Sequence, residues 1–205
     1  MIAWILERPW FYELSQRNIL TAGMRRIVLA LLQREGANGA AERVVEVGCG
    51  TGLYLSALSP KVFGTDISVA YVRFLKEKGR RVFASDACAL ALRSGCVGLV
   101  YCVNVFHHLD DQAVRTVLGE MWCACRPGGT LVVVDIVQPP AYGNRLGRLL
   151  RWLDRGGFVR QCEQFKALIQ SWADTVTEDV VLTDLHSYPQ DAVIGIVRKR
   201  SSVRV

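Results

Sequence analysis

The strongest constraint on this chain is a β-branched run that passes directly into a glycine-rich loop. Val44-Val45-Glu46-Val47 has the composition of a short buried strand, and Gly48-Cys49-Gly50-Thr51-Gly52 follows at once. Glycines let the backbone turn sharply and approach a ligand with no Cβ in the way. Residues 53–58 read as a helix whose N-terminus points at whatever the loop holds. Strand, tight turn and helix in this order predict an α/β fold with a site at the carboxyl ends of its strands.

The middle of the chain repeats that rhythm. Residues 62–66 and 82–86 read as strands that each end in an acid, Asp66 and Asp86. Residues 99–105 and 130–136 read as a fourth and a fifth strand. Helices are expected over 69–78, stopped by Gly79, and over 113–125, stopped by Pro127-Gly128-Gly129. Alternation at this spacing predicts a parallel sheet with helices on both faces. Residues 1–35 read as helical, with Ile27, Leu31 and Leu32 at helical spacing, and residues 36–39 close that region. Pro139-Pro140 breaks the pattern, and residues 141–173 read as helices interrupted by Gly156-Gly157. Residues 179–185 and 192–198 are two strands with no helix between them, which predicts an antiparallel pair at one sheet edge.

A length of 205 residues suits a single domain, with no internal repeat. Its expected parts are N-terminal helices (1–35, a candidate lid), a core (40–136), a helical insertion (137–176, a second candidate lid) and final antiparallel strands (177–200). A chain that is 51% hydrophobic and 21% charged is globular rather than disordered. No apolar run approaches the ~20 residues of a membrane span. Glu7, Arg8 and Pro9 interrupt the apolar start before a secretory core could form. Seven cysteines without a CxxC pair read as reduced, mostly buried thiols, so a cytoplasmic location is expected. The net charge of +6 permits anionic partners without requiring them.

Spacing inside the loop discriminates between ligands. A dinucleotide fingerprint runs GxGxxG, but Leu53 stands where its third glycine would be. The glycines here run GxGxG. S-adenosylmethionine has no pyrophosphate and carries an α-ammonium group, and Glu46 is an acid placed to meet it. Asp66 ends the second strand, where a carboxylate accepts hydrogen bonds from two ribose hydroxyls. Asp86 follows the third, where a carboxylate could accept from an adenine amino group. Any one of these acids could be a solvated turn or a helix cap. Three at successive strand ends after one glycine loop point to a nucleoside pocket.

The order EVGCGTG, GTDIS, SDACAL, NVFHHLDD and CRPGGTLVVVD resembles the class I S-adenosylmethionine-dependent methyltransferases. It is most similar to their broad small-molecule group, which includes the ubiquinone and menaquinone C-methyltransferases. The resemblance covers roughly residues 40–136. It implies a Rossmann-like three-layer sandwich around a seven-stranded, mostly parallel sheet with an antiparallel last strand. By position it implies that Glu46, Gly48, Cys49, Gly50 and Gly52 shape the methionine side of the pocket. Asp66 would hold the ribose and Ile67 lie against the adenine. Asp86 and the Ala87 amide would meet the ring edge, and Asn104 and Val105 would line the sulfonium. The chain departs from the family where Asp is frequent, at residues 98–100, and where Pro is frequent, at Ala91.

Methyl transfer is an in-line displacement at an already activated carbon, so the protein must align the partners and, for some acceptors, remove a proton. His107 and His108 follow the fourth strand and are the candidate bases; the alternative is that they cap or pack that loop. No metal is expected, since no third ligand stands at recognisable spacing. Residues 145–155 read as an amphipathic helix with Leu146, Leu149, Leu150 and Leu153 inward and Arg145, Arg148, Arg151 and Arg155 around the rest. Its basic face is either solvated or a lid for an anionic, amphiphilic acceptor or a peripheral membrane contact. Arg148 and Arg151, with Tyr12 of the aromatic-rich first helix, are candidate substrate residues. The expected activity is methyl transfer to an O, C or N atom of a small or lipid-like molecule. The rivals are methylation of nucleic acid, disfavoured because Asn104-Val105-Phe106-His107 lacks the Asn/Asp-Pro-Pro-aromatic motif, and a cofactor-binding regulatory protein that catalyses nothing.

Overall fold

Every residue of the fourth strand is buried, as expected of a strand covered on both faces. In the computed structural model, which describes residues 19–38, 43–55, 62–140, 144–153 and 156–201, that strand lies at the centre of a seven-stranded sheet. The elements run α1 (Ile19–Asn38), β1 (Val44–Val47), β2 (Val62–Asp66), α2 (Val69–Glu77), β3 (Val82–Ala84) and β4 (Val97–Val103). A 3-10 turn (Phe106–His108), α3 (Asp111–Ala124), β5 (Cys125–Ile136), α4 (Arg145–Leu153), α5 (Cys162–Thr175), β6 (Val180–Ser187) and β7 (Gln190–Arg198) follow.

The strand order is β3-β2-β1-β4-β5-β7-β6. The chain builds outward from β1 to β3, then crosses back to place β4 on the other side of β1. The switch point therefore falls between β1 and β4, where open α/β sheets leave a crevice at their carboxyl ends. β1 to β5 pair in parallel. β7 enters antiparallel between β5 and β6, with Thr130 opposite Arg198 and Ile136 opposite Ala192. The antiparallel pair expected from residues 179–198 is thus at the sheet edge, and its second strand is the inner one.

Successive side chains of a strand face opposite ways, so β4 and β5 feed two cores. Val100, Cys102, Leu131 and Val133 pack with Val117, Leu118 and Met121 of α3 and Phe165, Ile169 and Trp172 of α5. Leu99, Tyr101, Val132 and Val134 pack with Met24, Val28 and Leu32 of α1 and Val72 and Leu75 of α2. Burying a side chain of this size contributes about 1.5–3 kcal/mol.

Several local expectations shift. On α1 the buried stripe is Met24, Val28, Leu32 and Glu35, whereas Ile27 is 42% exposed. The third strand stops at Ala84, and the fourth runs from Val97 to Val103. The fifth starts at Cys125, through the Pro127-Gly128-Gly129 expected to separate helix from strand. That stretch joins the sheet because the end of β7 reaches it: Gly128 N–H donates to Lys199 O at 2.8 Å, and Lys199 N–H to Gly129 O at 2.9 Å. The helix expected at 53–58 is described only as far as Leu55, and Tyr12 lies outside the described residues.

The roll of α4 differs most. Leu149, expected inward, is 50% exposed, while Arg151, expected on the outer face, is 8% exposed. Asn144 sets the roll. Its Nδ2 donates to Asp191 at 2.9 Å and to Pro189 O at 3.0 Å, tying the helix start to the β6–β7 hairpin. Its Oδ1 accepts the Gly147 N–H at 2.8 Å. A Cβ on Gly147 would meet that oxygen at 2.6 Å, so only glycine permits this seat. Among the described side chains of α4, Gly147 and Arg151 are the buried ones.

Candidate active site

At the switch point the β1 loop needs its glycines. Gly48 and Gly52 have φ of 70° and 79°, the left-handed region that side chains avoid. A Cβ on Gly48 would strike Val105, and one on Gly52 would meet Leu75 at 2.7 Å. The loop is tied to the end of β2. Asp66 Oδ2 accepts the Gly50 N–H and Oδ1 the Ser68 N–H, each at 2.8 Å, and Cys49 N–H donates to Thr65 O at 2.9 Å. The Ser85 N–H donates to Asp66 O at 3.1 Å, which brings the end of β3 alongside. Asp86 itself lies in the turn beyond β3, where Oδ1 accepts the Cys88 N–H at 2.8 Å. Ala87 follows it and packs against the core beneath. Ile67 is 71% exposed at the same rim.

Beneath the loop, Glu46 is 2% exposed, and the Tyr101 hydroxyl donates to its Oε2 at 3.1 Å. Burial pushes the Glu46 carboxyl well above its usual range; the Tyr101 hydrogen bond opposes this and the nearby Asp66 charge adds to it. Burial also raises Asp66, against the pull of its two backbone N–H partners. The Cys49 thiol is pushed up by burial and by both carboxylates, so it is an inert thiol.

The other half of the site follows β4. Asn104 has φ 56°, uncommon for a residue with a side chain, and its buried Oδ1 has no partner among the described residues. Asp135, near the end of β5, organises the next turn. Its Oδ2 accepts the N–H groups of Val105 at 3.1 Å, of His107 at 3.2 Å and of Phe106. Its Oδ1 lies 2.6 Å from His107 Nδ1, with both side chains buried. That hydrogen bond places a proton on Nδ1 and so favours the tautomer with a lone pair on Nε2. The exposed His108 ring sits 4.1 Å from that of His107.

Of the residues singled out in the sequence, the fold sets Glu46, the glycine loop and Asp66 at the ends of β1 and β2, and Asn104, Val105 and the two histidines after β4, the strand beside β1. Sequence reasoning missed Tyr101, Asp135 and Arg160, whose guanidinium holds the carbonyls of Phe106 and Leu109. Asp135 carried a signal, being the single charge in the apolar run 131–136. Arg160 carried none. Arg148 is exposed on α4, while Arg151 is packed inward. Among the described residues, Cys162, Glu163 and Asp184 converge as metal-type ligands. Lys166 Nζ already sits 2.6 Å from Asp184 and 3.0 Å from Glu163, where a cation would be.

Residues 45–133 match the family described as a methyltransferase domain. The match takes in the stretch from β1 to β5, under half of the chain. The chain is 31% identical over 93 residues to a tRNA (carboxymethyluridine(34)-5-O)-methyltransferase of Arabidopsis thaliana, covering 44% of this chain and 23% of that one. It is 33% identical over 121 residues to an uncharacterised methyltransferase of Mycobacterium tuberculosis, covering 55% and 59%. The chain thus spans about a quarter of the first relative's length and under two thirds of the second's. In fold it is similar to magnesium protoporphyrin IX methyltransferase of Synechocystis, solved with bound S-adenosylhomocysteine, with TM-score 0.69 and 15% identity over 97% of this chain and 98% of that one. The residues of the matched stretch fit such a cofactor. Among the described residues the buried Asn104 Oδ1 and Thr65 Oγ1 have no hydrogen-bond partner, and Glu46 offers a buried acid to a cation.

Proposed function

We propose that this protein is an S-adenosylmethionine-dependent methyltransferase acting on a small or lipid-like molecule at an O, C or N atom. The observation that carries the reading is the pair of buried acids at the switch point. Glu46 lies under the glycine loop, and Asp66 lies across it with one further acceptor direction on each oxygen. In this reading Glu46 takes the ammonium end of the cofactor and Asp66 the ribose hydroxyls. Ile67, Asp86 and Ala87 bound the adenine, and the Gly48 to Gly52 backbone, Asn104 and Val105 line the reacting end. When bound, the cofactor supplies a methyl group already activated for displacement. The turn after β4 receives the acceptor, and His107, with Nδ1 held by Asp135, accepts a proton at Nε2 where the acceptor has one to lose. His108, Arg148 and Arg151 are the remaining candidate acceptor residues. A cytoplasmic location is part of this reading; among the described residues no helix is long and apolar enough to cross a membrane.

Identity to the tRNA methyltransferase favours RNA as a second acceptor class. The small-molecule reading ranks first because that match takes in 44% of this chain and only 23% of the tRNA enzyme. Labelled methyl from the cofactor, offered to a cell extract split into RNA, protein and small-molecule fractions, tests both. Label in a small-molecule or lipid fraction supports the first reading, and label in RNA replaces it with the second. Absence of label, with S-adenosylhomocysteine still bound in calorimetry, would leave a regulatory binding protein.

A further inference from the structure

The turn carrying His107 and His108 is gripped from two sides by opposite charges. On one side Asp135 accepts the N–H groups of Val105, Phe106 and His107. On the other, the Arg160 guanidinium donates to carbonyls of the same turn: Nη1 to Phe106 O at 2.9 Å and Nη2 to Leu109 O at 2.7 Å. Its Nε donates to Asp111 at 2.8 Å, Nη2 lies 2.7 Å from the same oxygen, and Nη1 also reaches Phe158 O at 3.2 Å. All five N–H groups of the guanidinium are thereby used, on a side chain only 10% exposed. The segment that carries Arg160 is itself fixed. Gln138 N–H donates to Arg160 O at 2.8 Å, and Phe158 N–H to His107 O at 2.9 Å. Phe158 is therefore tied to the turn directly by its N–H and through Arg160 by its carbonyl, yet it is 47% exposed. A large apolar side chain exposed on a backbone tied to the histidine turn is available to an apolar partner.

We propose that Arg160 is the positioning residue of the acceptor half: it fixes the turn after β4 and docks Phe158 against it, so that the exposed His108 and Phe158 border the buried His107 in one preformed site for an acceptor with an apolar body beside its reacting atom. The proposal rests on the methyl-transfer reading. Lysine does not replace this residue, because a point charge on a flexible stem cannot reach Phe106, Leu109, Phe158 and Asp111 together.

Arg160→Gln and Arg160→Lys test it. Thermal melting checks folding, calorimetry gives S-adenosylhomocysteine affinity, and nitrogen-15 NMR of the His107 ring reports the turn. Labelled transfer to the most active small-molecule fraction of the extract gives kcat and KM. Expected are an S-adenosylhomocysteine Kd within about twofold of wild type, displaced His107 ring signals, and kcat lower by about tenfold to a hundredfold in both variants. Unmoved ring signals, kcat within twofold of wild type, or loss of cofactor affinity in step with kcat each overturn it. If neither variant folds, Phe158→Ser decides: a several-fold rise in acceptor KM at unchanged kcat supports the surface, and an unchanged KM overturns it. A wild-type protein that binds no S-adenosylhomocysteine removes the methyl-transfer reading instead, while the ring signals still report what Arg160 does to the turn.

Discussion

Glu46 and Asp135 are both acids in strands of one sheet, each 2% exposed, and the protein treats them in opposite ways. Asp135 is surrounded by donors: three backbone N–H groups and an imidazole. Among the described residues Glu46 has one donor, the Tyr101 hydroxyl, and a second acid nearby. A buried carboxylate is tolerable when hydrogen bonds replace its hydration and expensive when they do not. In the proposed reading the acceptor half has its buried acid answered by donors among the described residues. The proposed cofactor half keeps an acid that is left for a ligand to answer.

The comparison breaks first at Asp135. Asp135→Ala should lower stability by about 3–5 kcal/mol, because it orphans the donors of the turn and the His107 ring together. Urea denaturation measures this, and a loss below about 1 kcal/mol would mean the turn is held elsewhere. Glu46→Gln should do the reverse. S-adenosylmethionine affinity should fall by about 2–4 kcal/mol in calorimetry, since a buried partner of a cation is lost. The cofactor-free variant should be at least as stable as wild type at neutral pH, because the amide has no charge to bury. Equal affinity in variant and wild type would remove Glu46 from the ammonium site.

Asp66→Ala should weaken the cofactor by about 1–3 kcal/mol, as it strands hydroxyls that had a charged acceptor. Unchanged affinity in the folded variant would end the ribose assignment. The smallest effect sharpens the contrast most. Glu46 and Asp66 both have raised pKa values in the folded protein, so the native state holds more protons than the unfolded one above their usual values of 4.5 and 3.8. The cofactor-free protein should therefore lose stability as pH rises from there through the raised values, by at most about 1.4 kcal/mol per pH unit for each group. Cofactor affinity should rise over the same window, because the cation favours ionised Glu46. Stability curves for wild type and Glu46→Gln check this; identical slopes would mean Glu46 titrates normally.

Much of the cofactor half was legible in sequence because it is local. Glu46 to Gly52 is one strand-to-loop passage, and Asp66 ends a strand whose composition announces it. The acceptor half was only named, at His107 and His108. What makes it a site is a carboxylate 28 residues away and a guanidinium 54 residues from the carbonyl it holds. On α4 the pattern misled at Leu149, which is exposed, and at Arg151, which is buried near the Asn144 anchor to the β6–β7 hairpin.

The sequence by itself determined the α/β rhythm, the glycine loop, the acids after β2 and β3 and the antiparallel ending. Each of these follows from backbone periodicity or from the φ preferences of a few adjacent residues. Only the tertiary structure decided that β7 enters between β5 and β6, that Tyr101 meets Glu46 across 55 residues, and that Asp135 and Arg160 grip one turn from opposite sides. The physical reason is that such pairs form when strands from distant parts of the chain align in one sheet, and no local window of sequence contains that alignment.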